Sequence, residues 1–368
     1  MKLLLLAGEE SGVMYAERIA KEVRGKNPTV EIRGYGDYGF RTGDLAVMGL
    51  GQVLKRIFYF LRVKRTMERA IDEWKPDVVC TVDYPGLNLK LAAYAKRRGI
   101  RAVHVVCPQV WAWKKGRIPK IEASLDKLCC FFPFEPKLFR AGFAEFVGHP
   151  LVDEMGKEGT GKRERGTGEK TLAVLPGSRM GEIEKHMPVL LEVVEKLQAE
   201  MPDLKVVIPA ANERAYAKIE SMLDCGAARI PRPTITRGGA REALREADAA
   251  IVASGTATLE AALAGCPTVL VYKVGWLFAF LARRFIKGIR HIGLANIIAE
   301  KSGGQCPMPE LLQENFTAAN ILRYVRSWLA DAAANAAARQ SLDDTMKLLK
   351  SDGGAIKRIA RSLEEKRK

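Results

Sequence analysis

The hydrophobic pattern switches period many times along the chain. Short unbroken apolar runs, the first being Leu3-Leu4-Leu5-Leu6-Ala7, alternate with longer stretches whose apolar residues recur every three or four positions. Unbroken runs predict strands buried on both faces, and the longer stretches predict the amphipathic helices that cover them. In the first half, strands are expected at Lys2–Ala7, Val30–Gly34, Val78–Val82, Ala102–Val106, Lys127–Phe132 and Glu145–Val147. Helices are expected at Gly12–Lys26, Val53–Glu73, Leu87–Arg98, Gly116–Ala123 and Glu135–Ala141. A second set begins with strands at Thr171–Leu175, Lys205–Pro209, Ala249–Ala253 and Thr268–Val271. Its helices are expected at Ile183–Met201, Glu213–Leu223, Arg241–Glu246, Ala257–Ala264, Leu277–Phe285 and Thr317–Ala330. Between the sets, residues 156–168 are rich in Gly and charge and have no apolar period, which marks a linker. The expected architecture is α/β: two Rossmann-like domains facing across a cleft. They span 1–155 and 170–340, joined by a linker at 156–169 and followed by a polar helical tail at 341–368. Ligands of such open sheets sit beyond the strand C-termini.

Helix 53–73 carries more apolar surface than docking requires. Phe60, Val63, Met67, Ile71 and Trp74 form one stripe, enough to seat it on a core. Leu54, Ile57, Phe58 and Leu61 form a second stripe, bordered or interrupted by Lys55, Arg62, Lys64 and Arg65. Basic residues beside a surplus apolar stripe suit an anionic membrane interface, against the alternative of core on both sides. The block Trp276–Lys287 has the same amphiphilic character.

Composition narrows the partners. The 368 residues include 59 Lys and Arg against 43 Asp and Glu, a formal charge of +16, so anionic partners are expected. No apolar run approaches the roughly 20 residues of a spanning helix. The first apolar run is too short for a secretory signal. Seven cysteines without CxxC spacing read as reduced thiols of a cytoplasmic protein, and four histidines without paired spacing predict no metal site. No RNA-binding motif or basic tail accompanies the charge, which argues against nucleic acid.

The candidate chemistry lies where strands end. Ser254-Gly255-Thr256-Ala257-Thr258-Leu259-Glu260 follows the apolar run 249–253 and opens a helix. Small residues there let backbone N–H groups approach a phosphate, and Glu260 can accept from two ribose hydroxyls. An ordinary capped helix is the plainer alternative. Leu175-Pro176-Gly177-Ser178-Arg179 follows another strand, and Arg179 can grip a phosphate with two hydrogen bonds. Tyr272 ends a third strand, and Asn296 sits within an apolar run as either a satisfied core amide or a substrate contact. In the first half, Gly8-Glu9-Glu10-Ser11-Gly12 joins strand to helix, and its acidic pair favours a hydroxyl-rich partner over a phosphate. Asp83 follows the run 78–82 and is a general-base candidate, with helix capping as its competitor. Asn88 lies in the following turn; Trp111 lies in the tryptophan and lysine cluster 108–117, as core or as a sugar or acyl platform; His149 precedes the linker.

Taken in order, these pieces resemble the lipid-A-disaccharide synthase family of inverting glycosyltransferases with two Rossmann domains, the GT-B type. The resemblance rests on Ala7 to Gly12, Ala46 to Gly49, Val82 to Pro85 with Asn88, Pro108 to Trp113, Pro133 to Glu135 and Val147 to Pro150. It continues through Leu175 to Arg179, Ser254 to Glu260, Tyr272, and Leu294 to Ile298. Val13 stands where the family usually has Asp, Cys107 where Ser is common, and Ala295 where Pro is frequent. The stretch between Gly34 and Leu45 is short for the family.

The resemblance implies transfer of 2,3-diacylglucosamine from UDP-2,3-diacylglucosamine to the 6-hydroxyl of 2,3-diacylglucosamine 1-phosphate, with no cofactor. It implies Asp83 and Glu9 in catalysis and Ser11, Asn88, Trp111 and Asn296 at substrate. Arg179, Ser254, Gly255, Thr256, Ala257, Thr258, Glu260 and Tyr272 would hold UDP. The expected location is the cytoplasmic face of the inner membrane, and a homodimer is compatible with the reading. Two alternatives stand beside it: another UDP-sugar enzyme of this fold, such as a lipid glycosyltransferase or a sugar-nucleotide 2-epimerase, and a basic nucleic-acid-binding protein.

Overall fold

The computed structural model describes residues 1–8, 10–40, 53–112, 115–157, 169–224, 231–274 and 290–365, without the side chains of residues 10, 11, 53–57, 156 and 157. The chain forms two compact units, Met1–Asp153 with Leu349–Lys368, and Glu154–Leu348.

The first unit contains β1 (Lys2–Ala7), α1 (Glu10–Lys26), β2 (Glu31–Arg33), α2 (Val53–Trp74), β3 (Val78–Val82) and α3 (Pro85–Arg97). It continues with β4 (Arg101–Val105), α4 (Ile118–Ser124), β5 (Lys127–Cys130), β6 (Ala144–Phe146) and the start of α5 (Pro150–Lys157). Its six strands are all parallel, in the order β2-β1-β3-β4-β5-β6. The period-two geometry of a strand explains the unbroken apolar run of β1. Leu3, Leu5 and Ala7 enter a core layer with Ile19 and Val23 of α1. Leu4 and Leu6 enter the opposite layer with Val63, Met67 and Ile71 of α2 and Leu91 of α3. Both faces are buried, so neither can be polar.

The second unit contains β7 (Thr171–Leu175), α6 (Met180–Glu200), β8 (Lys205–Ala210), α7 (Glu213–Asp224), β9 (Thr234–Arg237), α8 (Ala240–Glu246) and β10 (Ala249–Ala253). Then come α9 (Thr256–Leu263), β11 (Thr268–Tyr272), α10 (Leu294–Lys301), β12 (Glu310–Leu312), α11 (Ala318–Ala330) and α12 (Ala332–Lys347). Its strands are again all parallel, in the order β12-β11-β10-β7-β8-β9.

Several expectations differ from what is observed, and helices α5 and α10 have no counterpart in the expected pattern. The stretch 135–141 forms only a short 3₁₀ turn at Pro136–Leu138, because Phe139 and Phe143 turn inward to pack with Leu128 and Ile121. Strands β9 and β12 have no counterpart in the expected pattern, since each is a short, half-exposed edge strand. The segment read as one polar tail divides: α12 packs on the second unit, and a last helix, α13 (Ala355–Glu364), returns to the first. There Ile359, Ala360 and Leu363 complete the layer under α1.

Strand order locates the crevices. Successive strands depart in opposite directions along the sheet from β1 in the first unit and from β7 in the second. The crevice beyond the strand ends at such a point is where open α/β sheets bind ligands. In the first unit it lies between the ends of β1 and β3, and in the second between the ends of β7 and β10.

Candidate active site

Asp83 stands at the end of β3, in the first crevice. Its backbone and that of Tyr84 both adopt left-handed conformations, φ 52° and 50°. Two such residues in succession, neither of them glycine, are a strained turn. The turn is held on every side. The Asp83 N–H donates to the Val105 carbonyl at 2.9 Å. The Asn88 amide donates to the carbonyls of Asp83 (2.8 Å), Val82 (3.1 Å) and Leu6 (3.3 Å), and its oxygen accepts from the Tyr35 hydroxyl at 2.7 Å. Gly8 is required by the same turn: a Cβ there would lie 2.5 Å from Tyr84 Cβ.

Asp83 does not cap α3. The cap position is Tyr84, without a side-chain cap bond, and Asp83 Oδ1 accepts from the Tyr84 N–H at 2.8 Å. Burial raises the Asp83 carboxyl above the usual range, partly offset by that hydrogen bond. A carboxylate so placed is better suited to accept a proton. Glu9 lies outside the described residues, and Ser11 is described only as part of the first turn of α1.

The sequence-predicted substrate contacts Asn88 and Trp111 are buried. Trp111 packs edge-on against Phe134 at 5.7 Å, and its Nε1 donates to Glu135 Oε1 at 3.2 Å. The Phe132 N–H donates to the other oxygen of Glu135 at 3.1 Å, so Glu135 ties the loop after β4 to the loop after β5. Burial pushes the Glu135 carboxyl up to about 8. The sulfurs of Cys107 and Cys130 lie with the Glu135 carboxylate in one buried cluster, all within 4.8 Å. His149 sits among Phe131, Phe132 and Tyr15; burial holds it down at about 3, and its Nδ1 accepts from the Leu151 N–H at 3.2 Å.

The second crevice is built differently. Arg179 leads into α6 and projects outward, its side chain 78% exposed, with Nη1 2.7 Å from Glu182 Oε1. Gly177, at φ 117°, makes room for Glu182: a Cβ would meet Glu182 Oε2 at 2.7 Å. Burial raises the phenol of Tyr272, at the end of β11, and the nearby Glu182 carboxylate adds to the effect.

His186 escaped the sequence reading, although it lies one turn beyond Glu182. It is fully buried, its Nδ1 lies 2.7 Å from the Pro176 carbonyl, and its Nε2 accepts from the Lys273 N–H at 3.0 Å. Those partners assign the proton to Nδ1 of a neutral ring that ties the β7 turn to the β11 turn. The spacing His186–Glu182 on one helix face, following the Gly177 turn, is the signal that could have revealed it.

Across the crevice, the Ser254 N–H is bonded to the Val271 carbonyl at 3.1 Å, and Gly255 caps α9, whose first residues are Thr256, Ala257 and Thr258. The Thr258 hydroxyl turns back to the Gly255 carbonyl at 2.8 Å. Glu260, one turn further, accepts from Arg241 Nε at 2.9 Å, and Arg241 also donates to Glu154 at 3.1 Å. Asn296 is a satisfied core amide. It donates to the Met308 carbonyl (2.7 Å) and Glu310 (2.8 Å) and accepts from the Met308 N–H at 3.0 Å.

On α2 the docking stripe is as expected: Val63, Met67, Ile71 and Trp74 are buried. The second stripe is open where it is described, with Phe58 68% and Leu61 42% exposed beside exposed Arg62 and Arg65. Leu54, Lys55 and Ile57 belong to the helix, but their side chains are outside the described residues, as is the whole block 276–287. Among the described residues no helix is long and apolar enough to cross a membrane.

Known proteins resemble this chain over nearly its whole length. A profile of the lipid-A-disaccharide synthetase family matches residues 3–359. The lipid-A-disaccharide synthase of Geobacter sulfurreducens is 33% identical over 375 residues, spanning 98% of this chain and 95% of that protein. That of Myxococcus xanthus is 36% identical over 348 residues, spanning 90% and 89%. Among solved structures the chain is similar to the glycotransferase of kitacinnamycin, with TM-score 0.63, 14% identity, and 99% and 97% of the two chains covered. It is also similar to the UDP-GlcNAc 2-epimerase from Neisseria meningitidis bound to UDP-GlcNAc, with TM-score 0.60, 12% identity and 99% of each chain covered. At such identities the structural likeness speaks to the fold alone. The chain belongs to the lipid-A-disaccharide synthetase family and is a glycosyltransferase of lipid A biosynthesis on the GT-B fold.

Proposed function

We propose that, as a member of this family, the chain transfers 2,3-diacylglucosamine from UDP to the 6-hydroxyl of 2,3-diacylglucosamine 1-phosphate. Asp83 takes the proton of that hydroxyl as its oxygen attacks the anomeric carbon from the face opposite UDP. The anomeric C–O bond to the β-phosphate breaks, UDP leaves with the electron pair, and the new linkage is β. The observation that carries this reading is the Asp83 turn, strained, clamped by Asn88 and raised by burial at the first crevice. Fixing a base in position before reaction lowers the cost of organising the transition state.

The second crevice would receive the nucleotide. Backbone N–H groups at the start of α9 and the Arg179 guanidinium meet the growing charge on the diphosphate. Glu260, oriented by Arg241, is the ribose acceptor. The exposed Phe58 and Leu61 with Arg62 and Arg65 would seat the protein on the anionic cytoplasmic face of the inner membrane, where both acylated substrates reside.

The test is incubation with the two diacylated substrates and mass spectrometry of the products. A tetraacyl disaccharide 1-phosphate with one UDP per disaccharide is expected. Interconversion of UDP-sugars without a disaccharide would instead mark an epimerase.

A further inference from the structure

Beside the Asp83 turn, helices α2, α3 and α4 enclose a groove of about 290 Å³ that the catalytic scheme does not use. Its end nearest Asp83 is formed by Pro85 and Gly86, the first turn of α3, and its floor is apolar, with Leu89 and Ile121 buried. Its walls are basic: Lys64, Lys90, Arg97, Arg117 and Lys120 line it against a single carboxylate, Glu68. Glu68 is already bound, 2.6 Å from Lys64. Among the described residues no carboxylate lies within ion-pair distance of Lys90, Arg97, Arg117 or Lys120. Four unmatched cations around one small concavity repel one another, and an anion bound among them relieves that repulsion. The positive end of the α3 dipole adds to the same field.

The surroundings say which anion. On α2, Leu61, Lys64 and Glu68 follow one another at spacings of three and four, so one helix face runs from the exposed apolar stripe into the groove. The volume suits a charged headgroup and not acyl chains. We infer that the groove binds the phosphate monoester of the acceptor, with the acceptor's acyl chains directed along Phe58 and Leu61 and its free hydroxyl towards Asp83. This inference rests on the proposed acceptor being a phosphorylated sugar lipid. Arg117 supplies a planar fork for two phosphate oxygens, and Lys90 and Lys120 supply point charges.

The experiment replaces Arg117 and Lys120 together by Ala, with Arg117→Lys/Lys120→Arg as the charge-preserving control. In detergent micelles the double Ala variant should raise KM for the acceptor about tenfold or more, with donor KM within about twofold and near-full rescue in the control. An acceptor lacking the phosphate should be used equally poorly by wild type and variant. Calorimetry with glucosamine 1-phosphate should show the same loss without requiring turnover. Unchanged acceptor KM, or an equal loss with the phosphate-free acceptor, overturns the inference. So does lost binding to anionic vesicles with micellar KM unchanged, which would make the groove a site for bilayer headgroups. If wild type forms no disaccharide but binds glucosamine 1-phosphate through Arg117 and Lys120, the reaction reading fails and the phosphate groove stands.

Discussion

The two units share an all-parallel, six-stranded sheet, yet the polar groups near their strand ends differ. The first unit buries three titratable groups in neutral form: Glu135 is pushed up to about 8, and His104 and His149 are held at about 3. Its crevice is a strained, over-determined backbone turn carrying one carboxylate. The second unit pairs its charges, Arg179 with Glu182 and Arg241 with both Glu154 and Glu260, around turns of small residues. A buried neutral amide with its hydrogen bonds made, as Asn88 is beside Asp83, rigidifies the turn, and suits a base that must not move. Partly exposed ion pairs can exchange partners, and suit a site that must take up and release a highly charged nucleotide. On the proposed reading one sheet architecture serves two tasks, and the difference lies in residues after the strands.

The sharpest way to break this contrast is Asp83→Asn. Turnover should fall by roughly 10²–10⁴-fold with UDP affinity unchanged within about twofold. Steady-state rates and calorimetry decide it, and near-normal turnover would reduce Asp83 to part of a structural turn. The matching test on the other unit is Arg179→Ala and Glu260→Ala. Each should weaken UDP binding by about 1–3 kcal/mol through lost charge-assisted hydrogen bonds. Unchanged UDP affinity in both would remove the nucleotide site from the second crevice.

A smaller effect is expected from Phe58→Ser with Leu61→Ser. Co-sedimentation with anionic vesicles should drop, while the melting temperature stays within a few degrees because the opposite stripe of α2 does the docking. A large fall in melting temperature with vesicle binding intact would make the stripe part of a core. The smallest effect is on stability against pH. His104 and His149 are neutral in the folded protein down to about 3, whereas unfolded histidine takes a proton near 6.5. The unfolded chain therefore binds more protons in that window, and stability declines as pH falls through it. Glu135 acts with the opposite sign. The folded protein keeps its proton up to about 8 while the unfolded carboxyl releases it near 4.5, so stability declines as pH rises between them. In Glu135→Gln the alkaline decline in melting temperature should shrink and the acid decline remain.

Strands buried on both faces were legible to within a residue or two. Lys2–Ala7, Val78–Val82, Thr171–Leu175 and Ala249–Ala253 have the bounds expected of them, because a mostly apolar run defines each without a distant partner. The edge strands β9 and β12 were not, because neither Thr234–Arg237 nor Glu310–Leu312 carries such a run. Site residues divide the same way. The positions of Asp83 and the 254–260 turn follow from local order, strand then turn then helix. The clamping of Asn88 depends on the Tyr35 hydroxyl 53 residues earlier, and the role of His186 on a backbone N–H 87 residues later. A pattern read in a short window contains neither partner. Asn296 and Trp111 were open between two roles for that reason, and their hydrogen bonds to Met308, Glu310 and Glu135 are those of core groups.

The return of α13 to the first unit has a consequence for the order of events on the ribosome. Arg101 of β4 is bonded to the Ser362 carbonyl, 261 residues away, and the Ala355 N–H is bonded to Asp153. The first unit is thus finished by residues translated after the whole of the second. Until then the apolar layer under α1 lacks Ile359, Ala360 and Leu363. The second unit, continuous from Glu154 to Leu348, can close its own core earlier. From the synthesis of α1 to that of α13 the layer stays unsealed, and exposed apolar surface of this kind is prone to aggregate until α13 closes it.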